Sequence, residues 1–155
     1  MEIKFTVNED LSDNTLKINI PLKDVNETNL ANLLAAKSNL IKKALNVSDL
    51  SFYKHKDWIC FPWFKAEIDD ATKNAYINFI VAICKMSTIQ KRICAKEKET
   101  ANEKYAFRCF LLRLGFIGDE FKGARKILLK KLSGSSAFKV VKNQDKEEQQ
   151  DEISE

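Results

Sequence analysis

Apolar and polar residues alternate with period two in Met1-Glu2-Ile3-Lys4-Phe5-Thr6-Val7 and again in Leu16-Lys17-Ile18-Asn19-Ile20-Pro21-Leu22, the pattern of half-buried strands. The polar, turn-prone stretch 8–14 between them predicts a hairpin, and Pro21 places the second strand near a sheet edge or at its own end. Leu50-Ser51-Phe52-Tyr53 and Trp58-Ile59-Cys60-Phe61 flank a charged turn, which predicts a second hairpin closed by Pro62. Between the hairpins, Leu30, Leu33, Leu34, Leu40, Ile41 and Leu45 return at helical spacing. They predict one helix that starts from an Asn26 or Thr28 cap and stops at Asn46. Beyond the second hairpin the helical period takes over. A long core helix opens at Asp69 or Asp70, runs through Tyr76, Phe79, Ile80 and Ile83, and is expected to continue past Ile89 to Ile93 and Ala95. Asn102 and Glu103 open a helix that ends at Gly115. After the turn Phe116-Ile117-Gly118, Asp119 caps a last helix, which ends at 133–136. Ala137 and Phe138 are expected to tuck back onto the body.

The pattern therefore predicts the α+β class: short N-terminal antiparallel strands packed on a C-terminal bundle of about four helices. At 155 residues, with 45% hydrophobic residues, the chain suits a single domain over 1–141. Residues 142–155 hold too little apolar material to fold and read as an acidic disordered tail. No apolar run approaches the roughly 20 residues of a membrane span, and no leader-like segment follows Met1. A cytoplasmic protein without a membrane partner is expected.

The net charge of +4 conceals an uneven distribution. Between Lys85 and Lys131 thirteen Lys/Arg face five Asp/Glu, whereas from Val140 to Glu155 two lysines face six acids. Such a split suits a polyanionic partner, either nucleic acid or a protein surface that normally holds it, and equally suits plain solvated helix faces. Lys122, Lys126 and Lys130 recur every four residues and predict a solvent-facing stripe, with Arg125 beside it. Arg108, Arg113, Lys91 and Arg92 are further candidate contacts to nucleic acid or a partner. A helix-turn-helix would use the same cations on a duplex. Asp119 and Glu120 stand where its recognition helix would offer base-reading side chains, so a plain αα-hairpin is preferred.

Trp58, Phe61, Trp63 and Phe64 crowd four aromatic residues into seven positions. An exposed cluster would stack bases or anchor a partner, which makes Trp58, Trp63 and Phe64 candidate contacts; a strand end packed on helices would look the same, and the core reading is preferred. Cys60, Cys84, Cys94 and Cys109 are widely spaced without a C-x-x-C pair, so buried free thiols are expected and no metal site. His55 lies in a polar turn with no nucleophile or carboxylate at a diagnostic spacing. Phosphate-loop, dinucleotide, zincin and nucleophile-elbow motifs are absent. The expectation is a protein without catalytic residues or cofactors, that is, not an enzyme.

The stretch from Asn102 to Lys139, including Tyr-Ala-Phe-Arg-Cys-Phe-Leu-Leu-Arg-Leu-Gly-Phe-Ile-Gly-Asp-Glu-Phe-Lys and Leu-Ser-Gly-Ser-Ser-Ala-Phe-Lys, resembles the C-terminal signature of the virulence-related proteins of Firmicutes phages and integrative conjugative elements. The likeness extends upstream through Asn29 to Leu45, Phe61-Pro62-Trp63-Phe64 and Gln90 to Lys98, covering about Leu16 to Lys139. Members of that family carry a longer N-terminal region than this chain, and the family brings no catalytic residues to transfer. The resemblance implies a small accessory protein of a mobile element. With the missing catalytic apparatus and the split charge, that setting leads to the expectation of a host-defence inhibitor of the anti-CRISPR type that binds a nuclease effector or its nucleic acid, or alternatively of DNA or RNA binding in element maintenance or regulation. A scaffold docking a partner through its aromatic segment is the plainest role.

Overall fold

A computed structural model describes residues 3–10, 12–97 and 101–134. Four strands, β1 (Thr6–Asp10), β2 (Thr15–Pro21), β3 (Tyr53–His55) and β4 (Trp58–Lys65), form one antiparallel sheet in the order β1-β2-β4-β3. Helices α1 (Glu27–Ala36) and α2 (Ser38–Leu45) connect the hairpins, and α3 (Asp70–Ile89), α4 (Glu103–Leu114) and α5 (Lys122–Leu129) follow. The chain is α+β. The expected tail 142–155 and the Ala137-Phe138 contact lie outside the described residues.

The first hairpin closes later than its alternation predicts. Asp10 accepts the N–H and hydroxyl of Ser12, and Asn14 takes φ 55°, so β1 extends into residues expected to be turn. In the second hairpin, Pro62 does not close the strand. Leu16 pairs with Phe64 and Ile18 with Phe61, which leaves Pro62 and Trp63 opposite Lys17 alone. This two-against-one bulge accommodates the missing N–H, and β3 pairs no further along β4 than Cys60.

Two helices are interrupted by polar groups distant in sequence. The expected helix over 29–45 breaks at Lys37 (φ −120°, ψ 19°), because the Glu97 carboxylate accepts the backbone N–H of Asn39 and supplies the second piece with its cap. The core helix was expected to run to Ile93 or Ala95 and ends at Ile89. Ser87 and Thr88 turn their hydroxyls back onto Cys84 and Lys85 carbonyls, and the buried Asn29 amide donates to the Ser87 and Gln90 carbonyls. Those carbonyls are the ones a continuing helix would need for its own N–H groups.

Ile18, Ile20, Ile59 and Phe61 of the sheet, Leu30 and Ile41 of the first helices, and Phe79, Ile80, Phe107, Phe110 and Leu128 of the last three share one apolar core. Phe79, Phe107 and Phe110 meet ring to ring at 5.8–6.3 Å.

Candidate nucleic-acid interface

Lys122, Lys126, Lys130 and Lys131 are exposed along α5 and just beyond it, and residues 121–134 contain no carboxylate. Three of them are the predicted stripe. Arg125, placed beside that stripe by the sequence, requires correction: it is 8% exposed and donates from Nη1 to the carbonyls of Phe116 and Gly118, both at 3.0 Å. Its turn begins at a 3-10 segment, Asp119–Phe121, not at an Asp119 cap. Arg125 shares α5 with the lysines and falls at the border of their stripe, where its long side chain reaches back to the end of α4 and ties the α4–α5 connection together.

The remaining cations do not join the α5 group. Lys130 lies within electrostatic reach of Asp69, the cap of α3. Arg113, with Lys37, flanks the Phe110 ring at 5.9 and 5.4 Å in a pocket shared with Met86 and Gln90 at the other end of α3. That end is about 25 Å from Asp69 at 1.5 Å per residue. Lys91 and Arg92 are exposed on the extended segment past α3, and Arg108 is half-buried, its Nε without a partner. The positive charge is thus divided along the length of α3.

Among the aromatic candidates, Trp63 and Phe64 are core and are corrected as partner contacts. Trp63 is 8% exposed and donates Nε1 to the Ser51 carbonyl at 2.9 Å, and Phe64 stacks on Tyr76 of α3 at 4.5 Å. The bulge causes this: by inserting one extra residue it turns Trp63 and Phe64 both inward. Trp58, ahead of the bulge, is half-buried and faces the other way.

A cleft of about 630 Å³ lies between the end of β4, the loop after α2, the start of α3 and the end of α5. Lys65, Lys130 and Lys131 line it, as do Asp49 and Glu67. The Asp49 carboxylate is engaged by the Ser51 N–H and hydroxyl, the hydroxyl first, and these hold it below its ordinary pKa.

The sequence reading missed the outer face of the sheet. Thr6, Asn19, Cys60 and Tyr53 lie in one row across all four strands, with Asn8 and Lys17 on one side of it and Trp58 and His55 on the other. The helices pack on the opposite face, where Glu9 reaches Lys73 of α3 at 2.9 Å and Lys54 reaches Glu27 of α1 at 3.4 Å. The outer face is a shallow groove of about 460 Å³ whose lining, among the described residues, includes no carboxylate. Tyr53 is 46% exposed and borders both this groove and the larger cleft. Its hydroxyl meets the Cys60 thiol across the strand pair, and this contact, with slight burial, pushes the phenol above its ordinary pKa. The signal was present in the polar phase of the strands, Thr6-x-Asn8 and Lys17-x-Asn19, which alternates opposite the core phase.

All four cysteines are free. Cys60 and Cys84 are buried as expected, and burial pushes the Cys84 thiol strongly upward. Cys109 is half-buried, and Cys94 corrects the expectation, being exposed because α3 stops before reaching it. Among the described residues no three His, Cys, Asp or Glu side chains gather as metal ligands, and no helix is long and apolar enough to cross a membrane. No family model, no curated protein and no solved structure matches the chain.

Proposed function

We propose that this is a non-enzymatic accessory protein of a phage or mobile element that blunts a host nuclease defence, in the manner of an anti-CRISPR, by binding the effector's nucleic acid. The observation that carries the reading is the row Lys122, Lys126, Lys130 and Lys131, four exposed ammonium groups in a segment free of carboxylates. Such a row meets a phosphate backbone with no carboxylate in its own segment, Asp69 standing near Lys130 at its far end, and releases counterions on contact. The resemblance of 102–139 to proteins of mobile elements supplies the setting. Co-expression with a panel of restricting nuclease systems tests it: phage plating should recover for at least one system and should be lost again with Lys122→Ala/Lys126→Ala. Full restriction by every system in the panel rejects it.

Direct DNA or RNA binding in element maintenance or regulation is the second reading. It is favoured by the same row, which needs no partner protein to hold a phosphate backbone. Increased loss of the element from dividing cells after Lys122→Ala/Lys126→Ala, with defence unaffected, selects it.

A further inference from the structure

We infer that the outer face of the sheet binds single-stranded RNA, with bases stacked on Tyr53 and Trp58. The inference deepens the proposed function, on which it rests, by naming the nucleic acid and a second surface that holds it. The row Thr6-Asn19-Cys60-Tyr53 crosses three strand gaps, about 14 Å, a platform fit for two or three splayed bases. Tyr53 is the exposed ring, and Trp58 with His55 forms the next rung. Lys17, which also lies within electrostatic reach of Asp10, and Lys56 border the groove, and among the described residues no carboxylate lines it. Asp10 stands further along the same face, its carboxylate turned to Ser12.

Each ligand class leaves a different demand on such a surface. A duplex hides its base faces and gains nothing from exposed rings, whereas a single strand offers ring faces and phosphates together. The polar groups favour RNA. Asn19 Nδ2 donates to Thr6 Oγ1 at 3.1 Å, which leaves the Asn19 carbonyl as an acceptor and the Thr6 hydroxyl proton as a donor. A ribose 2′-hydroxyl, which both donates and accepts, satisfies this pair, and deoxyribose does not. Tyr53 also borders the cleft that contains Lys130 and Lys131, so a strand leaving the sheet meets the end of the α5 lysine row.

The test uses the full chain and three fluorescein-labelled probes of about ten nucleotides: oligouridine RNA, its deoxyuridine counterpart, and duplex RNA, at about 50 mM salt. Oligouridine should bind best and quench tryptophan emission, and Trp58→Phe should abolish the quench. Tyr53→Leu should weaken oligouridine about tenfold and leave the duplex unchanged, whereas Lys122→Ala/Lys126→Ala should weaken both. If Tyr53→Leu lowers the thermal midpoint, Lys17→Gln reads the same face. The inference is overturned if both variants bind oligouridine within twofold of the parent, or if deoxyuridine binds as tightly as RNA. Duplex binding without oligouridine binding overturns it and leaves the proposed function standing; binding of no probe removes both.

Discussion

The segment 102–134 and the outer face of the sheet make opposite use of their polar residues. In the first, apart from the exposed lysines of α5, the polar side chains Asn102, Glu103, Arg125 and Ser133 are spent on the fold itself. Asn102 accepts from the Tyr105 N–H and caps α4. Ser133 gives its carbonyl to Lys104 N–H and its hydroxyl to Glu103, which also pairs with Lys43. Arg125 binds two carbonyls of the α4–α5 turn. On the outer face the internal contacts among the described residues are the Asn19–Thr6 hydrogen bond, the Tyr53–Cys60 contact and, at one end, Asp10 with Ser12 and Lys17, and most of the polar rim stays in solvent. The difference teaches that a distinctive motif marks architecture here, and that function is better sought where polar side chains have little architectural work.

Gly134→Ala should break the comparison most forcibly if it is wrong. Gly134 sits at φ +104°, and a Cβ there would stand 2.1 Å from Asn102 Oδ1, the atom that caps α4. The residue cannot shift freely, because its neighbour Ser133 is pinned to Glu103 and Lys104. Backbone strain and loss of the cap together should cost about 2–4 kcal/mol, read as a fall in the guanidinium midpoint with the slope unchanged. Arg125→Ala should come next, at about 2–3 kcal/mol, since it strands two carbonyls beside a cavity. An Arg125→Ala protein of parental stability that instead loses nucleic-acid binding would return Arg125 to the surface role its position beside the lysine stripe suggests.

Why Arg125 was misplaced shows where sequence patterning ends. The α+β order, the Asn26, Asp69 and Asn102 caps and the Asn46 and Gly115 stops were legible, because each follows from local chemistry within one helical turn. The core placement of Trp63 and Phe64 was legible as the preferred reading, but the break at Lys37, the end of α3 and the strand geometry that buries two adjacent rings were not. The first two depend on Glu97 and Asn29, each 58 or more residues from the backbone it binds, and the third on a bulge that changes the alternation in mid-strand. A phase read from spacing fails where a bulge inserts a different step, and it cannot say that a border residue such as Arg125 will turn its guanidinium onto the carbonyls of Phe116 and Gly118. The lysine row was legible as exposed charge but not as separate from Arg113, Lys91 and Arg92, since a linear count of cations contains no distance.

Acid should distinguish the clamp from the open face by a smaller margin. Burial pushes the Glu103 carboxyl up, but hydrogen bonds from Lys43 and Ser133 outweigh it and hold the group below its ordinary value. A carboxyl depressed in the folded state stabilises above its unfolded pKa, and that contribution is lost as the pH falls through the folded one. Stability should therefore begin to fall as the pH drops below the ordinary glutamate range and continue to the lowered value. Glu103→Gln should flatten part of that limb in urea titrations, and Tyr53→Leu should leave it untouched. An identical acid limb in Glu103→Gln would show that the α4 clamp carries no charge-dependent stability.

Smallest in stability and sharpest in binding is Lys122→Ala/Lys126→Ala. Both side chains are exposed, and none of the described salt bridges involves either, so the pair should change stability by no more than about 0.5 kcal/mol. Each lysine that neutralises a phosphate contributes about 0.9 to the slope of log K against log salt on a duplex. The double variant should therefore flatten the slope by about 2 while the unfolding midpoint holds. The result bears on the comparison because the two surfaces predict different salt behaviour. A lysine row held by phosphates alone loses slope in whole steps, whereas a stacking face retains affinity at high salt. Tyr53→Leu should accordingly lower the affinity for a single strand by a similar factor at low and high salt, and parallel losses of slope in the two variants would mean that one surface, not two, holds the nucleic acid.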